Sequence, residues 1–287
     1  MGNFSRRGFM KLTGGGIALA VVSPVTSIMG ATAPANPPVA PPTLLGQLGL
    51  ASYTTRKMTL DETIKCAKNL GLTKVSLKDF HLPMKATAQQ FEEVKSKMKA
   101  AGLDFYSAGV IYMKKKEDID KAFEYAKSAG IRMIIGVPAH ELIDYTEQKI
   151  KEYDICVAIH NHGPGDLVYP TVVSAFEKVN GRDPRFGLCM DIGHTYRIGE
   201  DPDVIMTKYK SRMLDIHVKD VTSRGKEGST LEMGRGKIDI PKFMKAVKKS
   251  GYKGNLSFEY EKDADAPVPG LAESVGYMRG VINSLNL

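Results

Sequence analysis

Six histidines and two carboxylates lie at or just beyond the ends of short apolar segments in this 287-residue chain. The histidines are His81, His140, His160, His162, His194 and His217. Asp191 closes one apolar segment and Glu259 closes another. Imidazole and carboxylate groups bind divalent metal ions and transfer protons, and the parallel strands of a barrel deliver such groups to one face. The pattern predicts a metal site built from several strand ends.

The segments that carry these residues alternate with amphipathic stretches, which is typical of a parallel α/β fold. The predicted strands are Leu48–Tyr53, Lys74–Phe80, Asp104–Ile111, Arg132–Val137, Ile155–His160, Phe186–Asp191, Met213–Val218 and Asn255–Glu259. The predicted helices are Leu60–Leu70, Ala88–Ala101, Ile119–Ala129, Ile143–Tyr153, Val172–Val179, Pro202–Tyr209, Pro241–Ser250 and Leu271–Leu285. Eight repeats allow a parallel sheet to close, so we expect a single-domain (β/α)8 TIM barrel over residues 44–287.

The composition narrows the class of protein. Hydrophobic residues make up 43% of the chain, which is enough for a large core. The formal net charge is +8, and part of it comes from Arg6, Arg7 and Lys11 in the N-terminal segment. The remaining excess is too small to indicate a nucleic-acid partner. The three cysteines follow no CxxC spacing and are expected to be free thiols, with Cys156 and Cys189 buried.

The N-terminal segment has the features of an export signal. Arg6 and Arg7 precede Phe9, and a modest apolar stretch follows from Gly14 to Val25. This pattern resembles a bacterial twin-arginine signal, which we assign to residues 1–35, followed by an Ala/Pro-rich linker over residues 36–43. The resemblance implies a periplasmic or extracellular protein. No later segment is apolar for long enough to span a membrane, so no membrane association is expected after the signal is removed.

Four motifs carry a more specific resemblance. Asp191-Ile-Gly-His194, His217-Val-Lys-Asp220, Gly234-Arg-Gly-Lys-Ile-Asp239 and Phe258-Glu259 together resemble the xylose isomerase-like, or sugar phosphate isomerase/epimerase, family of TIM barrels. The resemblance covers the chain from about residue 48 to the C-terminus. It implies a divalent metal held by a glutamate, an aspartate, a histidine and a glutamate at the ends of strands five to eight.

Three of those ligands are present here as Asp191, His217 and Glu259, and the fourth differs. The chain has His160-Asn161-His162 where the family usually has Glu-Asn-His. The expected metal ligands are therefore His160, Asp191, His217 and Glu259. Two imidazoles and two carboxylates suit Mn, Zn, Co or Fe and are a poorer site for Mg.

The same resemblance suggests roles in catalysis. Glu259 is the expected base, and His160 or His162 is available as ligand or acid. The expected substrate contacts are Lys78, His81, Glu141, His194, Lys219, Asp220 and Arg235.

The leading hypothesis is an exported, metal-dependent sugar isomerase or epimerase that removes a proton next to a carbonyl of an unphosphorylated sugar. A lyase or dehydratase acting on a keto-sugar or keto-glycoside is the first alternative. A sugar-binding barrel without catalysis is another alternative, because the fifth-strand glutamate is missing. An apurinic endonuclease shares the fold, but the mild charge and the export signal oppose it. The expected partner is a small sugar, and a homo-oligomer is a possible assembly.

Overall fold

The computed structural model describes residues 44–287, so the predicted signal (1–35) and linker (36–43) lie outside the described residues. Strands and helices alternate along this range. The strands are β1 Leu48–Ala51, β2 Lys74–Leu77, β3 Asp104–Met113, β4 Met133–Pro138, β5 Cys156–His160, β6 Phe186–Asp191, β7 Met213–Val218, β8 Asp220–Val221, β9 Thr230–Leu231 and β10 Asn255–Phe258. The helices are α1 Leu60–Asn69, α2 Ala88–Ala101, α3 Lys116–Ala129, α4 Ile143–Tyr153, α5 Val172–Val179, α6 Ile192–Arg197, α7 Pro202–Tyr209, α8 Ile240–Ser250 and α9 Val268–Ser284.

Eight of these strands form a closed parallel barrel. The order around it is β1, β2, β3, β4, β5, β6, β7 and β10, and β10 pairs again with β1. The predicted single-domain (β/α)8 TIM barrel is therefore confirmed. Because all eight strands run in the same direction, their carboxyl ends meet at one face of the molecule.

Local sequence explains where several helices begin and end. Thr59, Thr87 and Thr171 each accept a hydrogen bond from the backbone N–H three residues later, in capping boxes that start α1, α2 and α5. Gly102 ends α2 with a φ of 70°, a left-handed conformation that costs glycine little.

The structure departs from the predicted elements after β6 and β7. Helix α6 starts directly after Asp191, where no helix was among the predicted elements, because the Asp191 side chain caps it. At six residues it is too short to show a helical period in the sequence. Strands β8 and β9 form a small antiparallel hairpin beyond β7 that the sequence did not predict. Strand β3 continues two residues past its predicted end, so Tyr112 lies within it.

The barrel interior contains a polar cluster as well as apolar side chains. The hydroxyl of Tyr106 on β3 donates to Asp215 Oδ2 on β7 at 2.9 Å and lies 2.8 Å from Ser257 Oγ on β10. Strands β3 and β7 are not neighbours in the barrel, so this contact crosses its interior. Cys189 is buried as expected, whereas Cys156 is only half-buried, and both are free thiols. Among residues 44–287, no helix has both the length and the apolar character needed to cross a membrane.

Candidate metal centre

The four predicted ligands converge at the carboxyl ends of four strands. One donor atom from each of His160, Asp191, His217 and Glu259 lies within 4.8 Å of the other three. His160 Nε2 is 3.2 Å from His217 Nδ1 and 3.7 Å from Asp191 Oδ2. Glu259 Oε2 is 3.3 Å from His217 Nδ1 and 3.9 Å from His160 Nε2. All four side chains are buried.

Strand register brings these side chains together. Asp191 and His217 are paired positions of β6 and β7, and His217 is also paired with Ser257 of β10, two residues before Glu259. The backbone N–H of Glu259 donates to Val218 O, which continues the β7 pairing past the end of β10. Neighbouring strands are about 4.8 Å apart, so side chains at matched positions come within reach of one ion.

The arrangement fits a divalent metal. Donors about 2.1 Å from one zinc ion can be no more than about 4.2 Å apart, and the four measured separations satisfy that limit. Asp191 Oδ2 is buried and has no directed hydrogen bond, although Lys219 Nζ lies 2.9 Å away. A buried carboxylate oxygen with a free lone pair is suited to a cation.

A thiol lies next to the same imidazoles. Cys189, His160 and His217 form an alternative group of three residues that could hold a metal ion without the carboxylates. Burial raises the pKa of the Cys189 thiol to about 12, so the thiol keeps its proton at neutral pH. The carboxylates are therefore the better ligands, because they are already ionised.

We call His160, Asp191, His217 and Glu259 the ligand cluster. Lys219 places a buried positive charge beside it. Its Nζ lies 2.9 Å from Asp191 Oδ2 and 2.8 Å from Glu259 Oε2, and it also contacts Glu261. Burial alone would raise the pKa of Glu259, but Lys219 and His217 hold it well below its usual range. For Asp191, burial is likewise outweighed by His194 and Lys219, which lower its pKa. Both predicted carboxylate ligands are thus ionised.

A cavity of about 310 Å³, which we call the central pocket, opens onto two of the predicted ligands, His160 and Glu259. Its walls include the predicted site residues Lys78, His160, His162, His194 and Glu259. Burial lowers the pKa of His162 to about 4 and that of His194 to about 3, so both imidazoles are neutral at pH 7.

Two neighbouring side chains orient these imidazoles. The Tyr112 hydroxyl lies 3.2 Å from His162 Nε2, and the two rings stack with centroids 5.6 Å apart. Arg197 Nη1 donates to His194 Nδ1 at 3.2 Å. An arginine is always a donor, so Nδ1 of His194 accepts and its proton resides on Nε2. His194 is thereby fixed as an Nε2–H donor.

Besides Lys219, four predicted substrate contacts lie outside the walls of the central pocket. Asp220 is buried and accepts backbone N–H groups from Val221, Gly234, Gly236 and Ile238, so its carboxylate holds the 234–238 segment. Arg235 is exposed and pairs with Glu273. His81 is buried against Thr63 and the carbonyl of Met58. Glu141 is exposed. Other groups of the protein thus occupy the side chains of Asp220, Arg235 and His81, and Glu141 faces solvent.

Asn161 has a positioning role that the sequence did not indicate. Its Oδ1 accepts the backbone N–H of Asp191 at 2.9 Å, and its Nδ2 donates to Thr195 Oγ1 at 3.3 Å. Thr195 in turn donates to the Asp191 carbonyl at 2.7 Å. The position of Asn161 between two site histidines could have indicated a role at the site. The sequence does not show, however, in which direction a side chain points beyond a strand end.

A family model described as a xylose isomerase-like TIM barrel matches residues 64–281, which is most of the chain. The protein belongs to the xylose isomerase-like TIM barrel family. The family assignment agrees with the closed barrel and with the resemblance carried by the Asp191, His217 and Glu259 motifs.

Two curated relatives match part of the chain by sequence. The chain is 28% identical over 144 residues to the rhizopine catabolism protein MocC of Rhizobium meliloti, covering 45% of this chain and 43% of that protein. It is 29% identical over 132 residues to inosose dehydratase of Lacticaseibacillus casei, covering 40% of this chain and 43% of that protein. The matches thus span less than half the length of these curated relatives.

Solved structures share the family fold more completely. The apo form of a 3-keto-D-glucoside 4-epimerase from E. coli aligns with a TM-score of 0.67 at 15% identity, over 82% of this chain and 99% of that one. The IolI protein, whose structure contains a bound zinc atom, aligns with a TM-score of 0.68 at 16% identity, over 83% of this chain and 98% of that one. At these identities the likeness shows the shared fold.

Proposed function

We propose that this protein is an exported, divalent-metal-dependent isomerase or epimerase that removes a proton next to a carbonyl group of an unphosphorylated sugar. The observation that carries the proposal is the convergence of His160, Asp191, His217 and Glu259 on one site, with His160 and Glu259 lining the central pocket. A divalent cation held by these side chains would polarise a substrate carbonyl or hydroxyl oxygen and acidify the adjacent C–H bond. Zinc bound in the IolI structure supports zinc as one candidate beside Mn, Co and Fe.

Glu259 is the proposed base. Its contacts with Lys219, His217 and His160 all use Oε2, so Oε1 is left to accept a proton from the substrate. Its carboxyl is ionised before the reaction, since Lys219 and His217 more than offset the effect of burial on its pKa.

His162 is the proposed second proton-transfer group, because His160 is committed to the ligand cluster. His162 lines the central pocket and is neutral. Its ring lies 4.6 Å from that of His160, centroid to centroid, which puts it beside the ligands without joining them.

The Nε2–H of His194 and the ammonium of Lys78 are the proposed donors to substrate hydroxyls. Both side chains line the central pocket. Lys219 is proposed to stay beside Glu259 and Asp191 and to limit the negative charge around the substrate.

A metal-dependent lyase or dehydratase is the second candidate, and the match to inosose dehydratase favours it. The first step is shared by both reactions, since each begins with loss of a proton next to a carbonyl. They differ in whether the proton returns to carbon or a β-substituent leaves.

Incubation of the metal-loaded protein with keto-sugars, including inosose, in deuterated water tests the proposal. Deuterium incorporation with retention of the carbon skeleton and all oxygens, seen by mass spectrometry and NMR, would support an isomerase or epimerase. Loss of water or of a glycosidic substituent would support the lyase. Neither exchange nor elimination with any metal would contradict both.

A further inference from the structure

A second cavity adjoins the central pocket between the end of β2, strand β3 and helix α3. We call it the outer pocket. Its volume is about 340 Å³, so it more than doubles the space provided by the central pocket of about 310 Å³. Lys78, Val110 and Tyr112 line both cavities, which therefore share one wall. A ligand that reaches past these three side chains would occupy both cavities.

The inner wall of the outer pocket is mainly apolar. It is formed by Leu77, Met84, Ala108, Val110, Ile111 and Tyr125. Tyr125 is buried, and its hydroxyl already donates to the Leu82 carbonyl at 2.9 Å, so its ring offers a carbon surface. Contact with such a wall favours an apolar or aromatic group, which loses its unfavourable exposure to water on binding.

The charged residues of the outer pocket balance one another. Lys78 and Lys121 carry two positive charges, and Asp79 and Asp118 carry two negative charges. Lys78 Nζ donates to the Val110 carbonyl at 2.5 Å, and the Asp118 carboxylate accepts the Lys114 N–H at 3.1 Å. A phosphate or carboxylate group would find no net positive charge here, so the pocket favours a neutral ligand.

Two exposed aromatic side chains stand at the entrance of the central pocket. Tyr53 is 38% exposed and Tyr112 is 46% exposed. His162 stacks on one face of the Tyr112 ring and Arg56 lies over the Tyr53 ring, so the remaining exposed surface of each ring is available to a ligand. Tyr112 borders both cavities, so its ring can contact a group that passes from one to the other.

We propose that the outer pocket binds a neutral apolar or aromatic group attached to the sugar, so that the substrate is a glycoside. The sugar ring occupies the central pocket beside the ligand cluster, and the aglycone occupies the outer pocket. This inference rests on the proposed function, which places a sugar in the central pocket. It adds that the sugar carries a neutral apolar or aromatic substituent.

Binding of two non-reacting glycosides to the metal-loaded full chain tests this inference by isothermal titration calorimetry. The probes are 4-nitrophenyl β-D-glucopyranoside and methyl β-D-glucopyranoside, which share a sugar and differ in the aglycone. The aryl glucoside is expected to bind at least about tenfold more tightly, which corresponds to about 1.4 kcal/mol. Equal affinities, or no binding of the aryl glucoside, would overturn the proposal.

Substitutions of Met84 locate the effect. Met84 is half-buried in the loop after β2 and lines the outer pocket. Met84→Trp fills the pocket and is expected to remove the preference for the aryl glucoside, with metal content retained. Met84→Asp adds a charge there and gives the same result should the larger side chain disturb folding. Ile64→Trp, at a half-buried position of α1 that lines neither cavity, is the matched control and should keep the preference. A preference that survives both Met84 substitutions would overturn the assignment to this pocket.

The calorimetry is independent of turnover. A tenfold preference that depends on Met84, in a protein that exchanges no substrate protons, would retain the aglycone pocket and reject the proposed reaction. Proton exchange on free keto-sugars without any preference for the aryl glucoside would retain the proposed reaction and reject the aglycone pocket.

Discussion

Lys219 Nζ lies 2.9 Å from Asp191 Oδ2, so a buried ammonium neutralises a carboxylate that also faces the ligand cluster. The same ammonium lies 2.8 Å from Glu259 Oε2. A divalent cation bound at this site would share the same two carboxylates with Lys219. Lys219 keeps the cluster from being a group of unpaired buried anions before the metal binds.

Removing this charge is expected to have opposite effects on stability and on metal affinity. Lys219→Met takes the ammonium away from two buried carboxylates, so the metal-free protein should lose about 3 kcal/mol in its free energy of unfolding. The metal should bind at least about tenfold more tightly, because a nearby positive charge is gone. Chemical denaturation with and without metal, and metal titration by calorimetry, measure the two effects. Weaker metal binding by Lys219→Met would show that the lysine orients the ligands more than it competes with the ion.

Loss of a single ligand should abolish turnover without unfolding the barrel. Glu259→Gln keeps the shape of the side chain but removes the charge, and His217→Ala removes one imidazole. Both variants should retain the circular dichroism spectrum of the wild type. Both should lose activity, and elemental analysis should show that they no longer bind stoichiometric metal. Glu141→Gln is the control, because Glu141 is exposed and outside the central pocket. Retained activity in either ligand variant would remove the site assignment.

Asp220 and Arg235 were both predicted to contact substrate, and their surroundings predict different mutant behaviour. Asp220→Ala leaves four backbone N–H groups without an acceptor, so we expect a loss of at least about 3 kcal/mol in stability. Arg235→Ala removes an exposed ion pair with Glu273 and should leave the melting temperature and KM unchanged. Thermal denaturation and steady-state kinetics measure both. A large rise in KM for Arg235→Ala would restore its predicted role in substrate binding.

Glu147 makes the stability of the barrel depend on pH in the acid range. Burial alone would raise the pKa of Glu147, but hydrogen bonds from Lys151 and Arg182 and from the backbone N–H of Asp183 lower it to about 2. The folded-state pKa lies below the ordinary value of 4.5, so the stabilisation is present above pH 4.5 and is lost as the pH falls toward 2.

Comparison of wild type with Glu147→Gln measures this contribution. At pH 7 the variant should be less stable by about 1 kcal/mol, and the difference should shrink as urea denaturation is repeated between pH 4.5 and 2. Asp144→Asn is the matched control: Asp144 also pairs with Arg182, but its side chain is 89% exposed, so little change is expected. A pH-independent difference would mean that Glu147 acts by packing alone.

The sequence predicted the barrel and the ligand cluster for the same reason. A parallel strand is apolar until its end, so Asp191 and His217 mark both a strand boundary and the face where strands meet. The direction of side chains beyond a strand end was less predictable. Asp220 and Lys219 are neighbours in sequence, yet Lys219 reaches the ligands while Asp220 holds the 234–238 segment. Asp220 begins the β8–β9 hairpin, which the sequence did not predict, and Lys219 lies just before it. Helix α6 was missed because its start depends on one capping contact from Asp191.

The most direct test of the metal centre is an anomalous difference map from a crystal of the protein soaked with Mn²⁺ or Zn²⁺. We predict one strong peak bonded to His160, Asp191, His217 and Glu259, at metal–ligand distances of about 2.0–2.2 Å. A map with no peak between these four side chains, at metal concentrations that occupy other sites, would contradict the metal centre and the function proposed from it.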